Sequence, residues 1–248
     1  MCIRDRFKVE VAWRANNLDK SGEGQAIPMT SDTGVFWFFA PTNLELMVKV
    51  LDGSTINGYF WVFSGALSSV EYTITVTDTS NNAVKTYHND EPNFGSIADV
   101  SAFPATPATS AEHPASATTA SVPHGSGAFQ STASTAAAEP CAAGPTTLCL
   151  NQGRFKVEVA YVGDPSGSGQ AVPLTSDTGA FWFFQSSNLE LMIKILDGRT
   201  INEHFWVFYG ALSDVEYTIT VTDTETGAVK TYHNDLHTLA SAADLAAF

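Results

Sequence analysis

The chain repeats itself, and no other feature constrains its fold as much. Residues 7–13 read FKVEVAW and residues 155–161 read FKVEVAY, while QAIPMTSDTGVFWFF at 25–39 returns as QAVPLTSDTGAFWFF at 170–184. VEYTITVTDT occurs at 70–79 and again at 215–224, followed each time by AVKTYHND. From Gln25 to Phe103 the second copy runs without a gap from Gln170 to Phe248, with about 70% of positions identical. The length difference falls between Trp13 and Gln25, where a Gly/Ser/Asn-rich stretch is three residues shorter in the second copy. Length variation there marks a surface loop. A unit of about 95 residues is an ordinary size for a domain that folds alone. The chain therefore reads as two copies of one module, at 6–103 and 141–248, the second carrying a Cys-bearing leader.

Between them, over 104–140, the composition changes to Ala, Ser, Thr and Pro, with two acids and no Lys or Arg. Such a stretch buries too little apolar surface to offset its ordering entropy, so it reads as a disordered, extended linker suited to O-glycosylation. The whole chain, at 44% apolar and 11% aromatic, has ample material for two cores. Its 26 acidic against 12 basic residues give a formal charge of −14. An acidic surface repels phosphate backbones, so nucleic acid is not an expected partner. No apolar run approaches the roughly 18 residues of a membrane-spanning helix.

Within a module the apolar residues alternate. Phe7, Val9, Val11 and Trp13 share one face with Lys8 and Glu10 on the other; Leu44, Leu46, Val48 and Val50 alternate with Glu45, Met47 and Lys49. Val70, Tyr72, Ile74 and Val76 alternate with Glu71 and three threonines. This is the pattern of half-buried strands. Seven are expected per module, near 7–13, 26–30, 34–39, 44–51, 56–63, 69–78 and 83–88, which makes the fold all-β: two tandem antiparallel, immunoglobulin-like β-sandwiches. The spacing of Phe94, Ile97, Val100 and Phe103 by three suits either a short helical turn or a covering tail.

FWFF (36–39, 181–184) and FWVF (60–63, 205–208) break the alternation by placing rings on both faces. Either these strands are covered on both sides, or Trp37 or Trp61, with Trp182 or Trp206, forms an exposed aromatic platform for sugars or a neighbouring module.

Cys141 and Cys149 flank a seven-residue loop with Gly144 and Pro145. They read either as a disulfide, which fits an oxidising extracellular compartment, or as two free thiols. Two clustered sulfurs without a local histidine do not make a zinc site. CIRDRF at 2–7 echoes CLNQGRF at 149–155, one residue shorter, which leaves the pairing of Cys2 open. The leading MCIRDR has no apolar signal-peptide region and resembles translated sequencing-adaptor DNA. The expectation is a C-terminal piece of a longer secreted protein.

The sharpest enzymatic motif is Asp32-Thr33-Gly34, repeated at Asp177-Thr178-Gly179. Aspartic proteases pair two such loops so that two carboxylates share a proton. Here the motif is preceded by Thr-Ser and runs into an aromatic strand, which suits a turn: Asp accepts local backbone bonds and Gly takes the open backbone angle. His88-Asn89-Asp90 and His233-Asn234-Asp235 read as strand-end turns. Asp19 and Asp164 lie near Gly-rich loops but without EF-hand or RTX spacing. The motifs of nucleotide sites and of serine hydrolases are absent from the sequence. No catalytic, metal or cofactor residue is assigned.

The string CLNQGRFKVEVAY…GQAVPLTSDTGAFWFF…NLELMIKILDGRTIN…VEYTITVTDTETGAVKTYHN resembles an uncharacterised module of about 100 residues that recurs in predicted secreted proteins of environmental bacteria. The resemblance covers both copies and implies a secreted or surface context with no assigned activity. The expected function is a non-enzymatic extracellular structural or adhesive repeat protein that self-associates, with a glycan- or surface-binding accessory module as the alternative.

Overall fold

The computed structural model describes residues 1–105 and 140–248, together with the backbone of residues 130 and 131. Two compact units divide between residues 105 and 140. Apart from its ends and that residue pair, the linker expected at 104–140 lies outside the described residues.

Each unit is an antiparallel β-sandwich, as the alternation predicts. In the first, one layer orders its strands Cys2–Ile3, Phe7–Ala15, Glu71–Asp78, Ala83–Asn89, with Lys20–Glu23 also pairing with Phe7–Ala15. This is the hairpin sheet. The other layer orders Ser96–Pro104, Tyr59–Ala66, Leu44–Gly53, Thr33–Trp37, Gln25–Pro28. Four of its strands follow one another in sequence, so it is the meander sheet. The second unit repeats both layers: Val229–Asn234, Tyr217–Asp223, Phe155–Tyr161 and Thr147–Leu150 face a meander of Gln170–Pro173, Thr178–Trp182, Leu189–Asp197, Phe205–Ala211 and Ser241–Asp244.

The period-two residues make the core. Phe7, Val9, Val11, Tyr72, Ile74 and Val76 meet Phe36, Leu46, Val48, Val50, Phe60 and Val62 across the layers, each buried. The second core uses the corresponding residues, from Phe155 and Val157 to Phe205 and Val207. Each such side chain contributes about 1.5–3 kcal/mol by leaving water, so these alternating faces carry the stability of the module.

Two expectations are corrected. The tail at 94–103 is neither a helical turn nor a lid over a face: Ser96–Pro104 is a strand paired antiparallel with Tyr59–Ala66. A register shift between Asp99 and Phe103 breaks its alternation, which is why the sequence shows a spacing of three while Ala102 and Phe103 still reach the core. The second correction concerns Leu44–Gly53, whose Glu45, Met47 and Lys49 are buried instead of solvated. The strand is central, and its neighbours turn rings outward. The Lys49 ammonium lies 5.2 Å from the Phe63 ring, so the lysine stem runs beneath aromatic cover.

Candidate functional site

The two outer faces of a module differ in chemistry. On the hairpin sheet, Lys8, Glu10 and Arg14 are exposed and Thr73, Thr75 and Thr77 half-buried, with Thr86 and His88 on the edge strand. Cross-strand pairs such as Glu10 opposite Thr75 and Thr75 opposite Thr86 make a hydroxyl-and-charge surface. On the meander sheet the outward residues include Val35, Trp37, Met47, Leu51, Trp61 and Phe63. Val35 and Met47 are buried although they lie outside the main core.

The four tryptophans singled out by sequence are all half-buried on meander sheets. Trp61 packs against Gly53, where an added Cβ would sit 2.1 Å from the indole, and donates its N–H to Asn57 Oδ1 at 2.9 Å. Trp206 does the same with Gly198 and with Asn202 Oδ1 at 2.8 Å. Phe63 and Phe208 stand edge-on to them, centroids 6.4 Å away. Trp37 does not join this group. It pairs with Leu44 on the central strand, whereas Trp61 pairs with Leu51. Seven positions at roughly 3.3 Å each set the two indoles about 23 Å apart along the strand, so one module carries two separate aromatic spots.

The cysteines act in the leader. Cys141 and Cys149 form a disulfide. Thr147–Leu150 pairs with Phe155–Tyr161 and places Leu148 and Leu150 in the core. Upstream of that strand the Pro145 carbonyl accepts the Ala171 N–H at 2.7 Å, so the leader ties the hairpin sheet to the outer strand of the meander sheet. The first module has a shorter version. Cys2 stands opposite Lys8 as Cys149 stands opposite Lys156, and Met1 exchanges backbone bonds with Val9.

This leader explains the glycine of the Asp-Thr-Gly repeats. Neither Gly34 nor Gly179 has a positive φ, which corrects the reading of an open backbone angle. A Cβ on Gly34 would sit 2.1 Å from Met1 Sδ, and one on Gly179 would sit 2.3 Å from Leu148. Glycine is required there because the leader side chain rests on it. Asp177 is bound within its own turn, and Asp32 is bound by its turn and by the leader. Asp32 accepts from Arg4 at 2.7 Å and Ser31 at 3.0 Å; Asp177 accepts from Thr175 at 2.6 Å and Thr178 at 2.8 Å.

His88 and His233 lie on exposed strand ends, each within 2.9 Å of a threonine hydroxyl. Asn89 and Asn234 are the buried members of those triplets, and the two N–H groups of each Nδ2 are shared among two backbone carbonyls of the following turn and that of Val70 or Val215 ahead of the neighbouring strand. Among the described residues no group of three or more His, Cys, Asp or Glu is placed to hold a metal ion, Asp19 and Asp164 included. None of their helices is long and apolar enough to cross a membrane.

Two structural clusters escaped the sequence reading. Glu45 accepts the Phe38 N–H at 2.6 Å and a bond from Asn43, closing the turn between two meander strands; Glu190 does so with Phe183 and Asn188. The signal was the repeated Asn-Leu-Glu-Leu at 43–46 and 188–191. Arg6 binds Asp78 through two bonds of 2.8 and 2.7 Å while lying 4.5 Å from the Phe60 ring, and Arg154 repeats this with Asp223 and Phe205. Burial alone would raise the Asp78 carboxyl, but bonds from Arg6 and Ser80 outweigh it and hold the pKa at about 2.

No family model, curated protein or solved structure matches the chain.

Proposed function

We propose that the chain is a non-enzymatic extracellular structural or adhesive repeat protein whose modules associate by strand addition into surface fibres. One observation carries the reading: each sandwich takes extended chain from outside the repeated sequence onto its sheet edges. The leader adds a strand and core side chains to one edge of the hairpin sheet. In the second module Gln130–Ser131 adds to the opposite edge, pairing with Thr231 and Lys230. Edges that accept strands from their own chain are suited to accept them from a neighbour. The Cys141–Cys149 disulfide fits an oxidising compartment outside the cytosol. Sedimentation velocity and negative-stain microscopy of the full chain at neutral pH test this. Elongated species that grow with concentration are expected, and a monomer at every concentration overturns the reading.

A second reading, a glycan-binding accessory module, draws on the matched setting of Trp61 and Trp206. An indole fixed by a glycine beneath it and a hydrogen bond on its N–H is a preorganised stacking surface. Here Trp61→Ala with Trp206→Ala should abolish retention on insoluble cellulose or chitin while the melting temperatures hold. If the substitutions unfold the modules, the indoles are packing elements.

A further inference from the structure

In each module a short helical turn, Ser54–Asn57 or Arg199–Asn202, joins the central meander strand to the strand that carries Trp61 or Trp206. Each turn ends in an asparagine with both polar atoms in use. Asn57 Oδ1 accepts the Trp61 indole N–H at 2.9 Å and the Tyr59 backbone N–H at 3.2 Å, while Nδ2 donates to the Val100 carbonyl at 2.8 Å. Asn202 does the same with Trp206 at 2.8 Å, His204 at 3.3 Å and Leu245 at 2.7 Å. One side chain therefore ties together the turn, the indole and the last strand of the module.

What it gathers is apolar and faces water. Ile56 and Ile201, beside the asparagines in the chain, are 73% and 74% exposed, and Val100 and Leu245 are each 48% exposed. None of the four belongs to a core. Between 52–61 and 197–206 the copies differ at three positions, Ser54/Arg199, Gly58/Glu203 and Tyr59/His204, yet Ile56 returns as Ile201. Val100 returns as Leu245, changed in shape but still apolar. Single exposed aliphatics call for no explanation, whereas an apolar group tied to one asparagine, twice in a chain, marks a binding surface.

We propose that Asn57 and Asn202 are positioning residues that assemble Ile56, Trp61 and Val100, and Ile201, Trp206 and Leu245, into one stacking strip per module for an uncharged polysaccharide. The ligand class follows from what the strip offers. Each indole N–H is already bonded, so the ring presents its face and no donor. Arg199, beside the second strip, is bound to Asp197 at 2.9 and 2.6 Å, and its counterpart in the first module is Ser54. A chain of formal charge −14 repels polyanions. An apolar surface with its donors committed suits the C–H face of a neutral sugar ring, and three side chains suit a run of linked rings. The inference rests on the glycan-binding reading above and names its ligand class and its positioning residues.

The test measures binding of the full chain to insoluble cellulose and chitin, both uncharged. Affinity should hold as salt rises from about 0.05 to 0.5 M, because no ion pair is made; a salt-dependent loss would overturn the assignment to an uncharged ligand. Ile56→Ser with Ile201→Ser should weaken binding about tenfold at unchanged melting temperatures, since both residues are exposed in the free chain. Asn57→Ala with Asn202→Ala should weaken it at least as much and should move the two indole N–H proton resonances. Asn57→Asp with Asn202→Asp keeps an acceptor for each indole, and should restore those resonances and part of the affinity. Wild-type binding by the isoleucine variants, or unmoved indole resonances in the alanine variants, would overturn the proposal, and the first holds as a test even if the asparagine variants unfold. Trp61→Ala with Trp206→Ala separates the two ideas. If that pair abolishes binding while the isoleucine variants bind normally, the glycan reading stands without this strip. A wild-type chain retained on neither matrix removes both.

Discussion

The two modules are the same sandwich begun in different ways. Phe7 touches Phe60 and Phe103 at 4.9 and 5.2 Å, and Phe155 touches Phe205 and Phe248 at 4.8 and 5.2 Å, so the cores are interchangeable. The leaders are not. The second is stapled by the Cys141–Cys149 disulfide, whereas Cys2, at the register position of Cys149, is a free thiol. Both leaders reach both sheets, the first through Met1 to Val9 and through Arg4 to Ser31 and Asp52. Repeated sequence therefore fixes the interior, and what varies is how the edges are closed. Edge closure contributes stability without changing the fold, so the second module should unfold at the higher temperature.

The largest effects should be equal in the two modules. Phe7→Ala and Phe155→Ala each remove a fully buried ring and should each cost about 3–5 kcal/mol. Calorimetry of the full chain should show each substitution lowering one transition and sparing the other. A shift of both by either substitution would mean that the modules are not energetically independent.

The next effect should be one-sided. The Cys141–Cys149 bond closes a short loop, with a sequence separation of 8. Replacing both cysteines with serine should cost the second module about 2–3 kcal/mol by the chain-entropy model. The first transition should not move, and the gap between the two should narrow. If the gap is unchanged, the leader's stability comes from Leu148 and Leu150 in the core instead of from the staple.

These contrasts also separate what the sequence made legible from what it hid. Alternation identified the layers and their inner faces because one period-two face meets the core, and Phe7, Val9 and Val11 needed no other information. It failed at Glu45 and Lys49, since a central strand between ring-bearing neighbours is buried on both sides and polarity no longer marks solvent. It failed at the tail because an irregular register mimics a three-residue spacing. The glycine of Asp-Thr-Gly was visible, but its reason was not: it depends on a leader side chain distant in the fold topology. The tryptophans were found as residues, yet whether they share a spot depends on which central-strand residue each one faces.

Acid should act on both modules alike. The Asp78 carboxyl is held at about 2, below its ordinary value near 3.8, and Asp223 is lowered too because Arg154 outweighs the burial that would raise it. The folded chain binds these protons more weakly than the unfolded chain. The stabilisation is therefore complete above about pH 4 and fades as pH falls through about 2. Urea unfolding at pH 7 and pH 2.5 should show a loss of at most about 2 kcal/mol in the first module from the Asp78 pair, and a loss of the same sign in the second. Asp78→Asn should flatten that loss in the first module alone, and an unaltered acid limb would assign it to other carboxylates.

The smallest effect is the most specific to the difference between the modules. Ala171 and Ala26 occupy one register position on the outer meander strand, and proline at either removes a backbone N–H. In the second module that N–H is bonded to Pro145 at 2.7 Å, so Ala171→Pro should cost about 1 kcal/mol, the net contribution of one hydrogen bond. Ala26→Pro should cost the first module nothing measurable by the same urea titration, because its N–H is bonded to no described residue. Equal losses would mean that proline strains the strand itself, and that the leader's bond to Ala171 adds nothing to stability. Unequal losses in the stated order would locate the difference between the modules at a single donated hydrogen bond beside the disulfide.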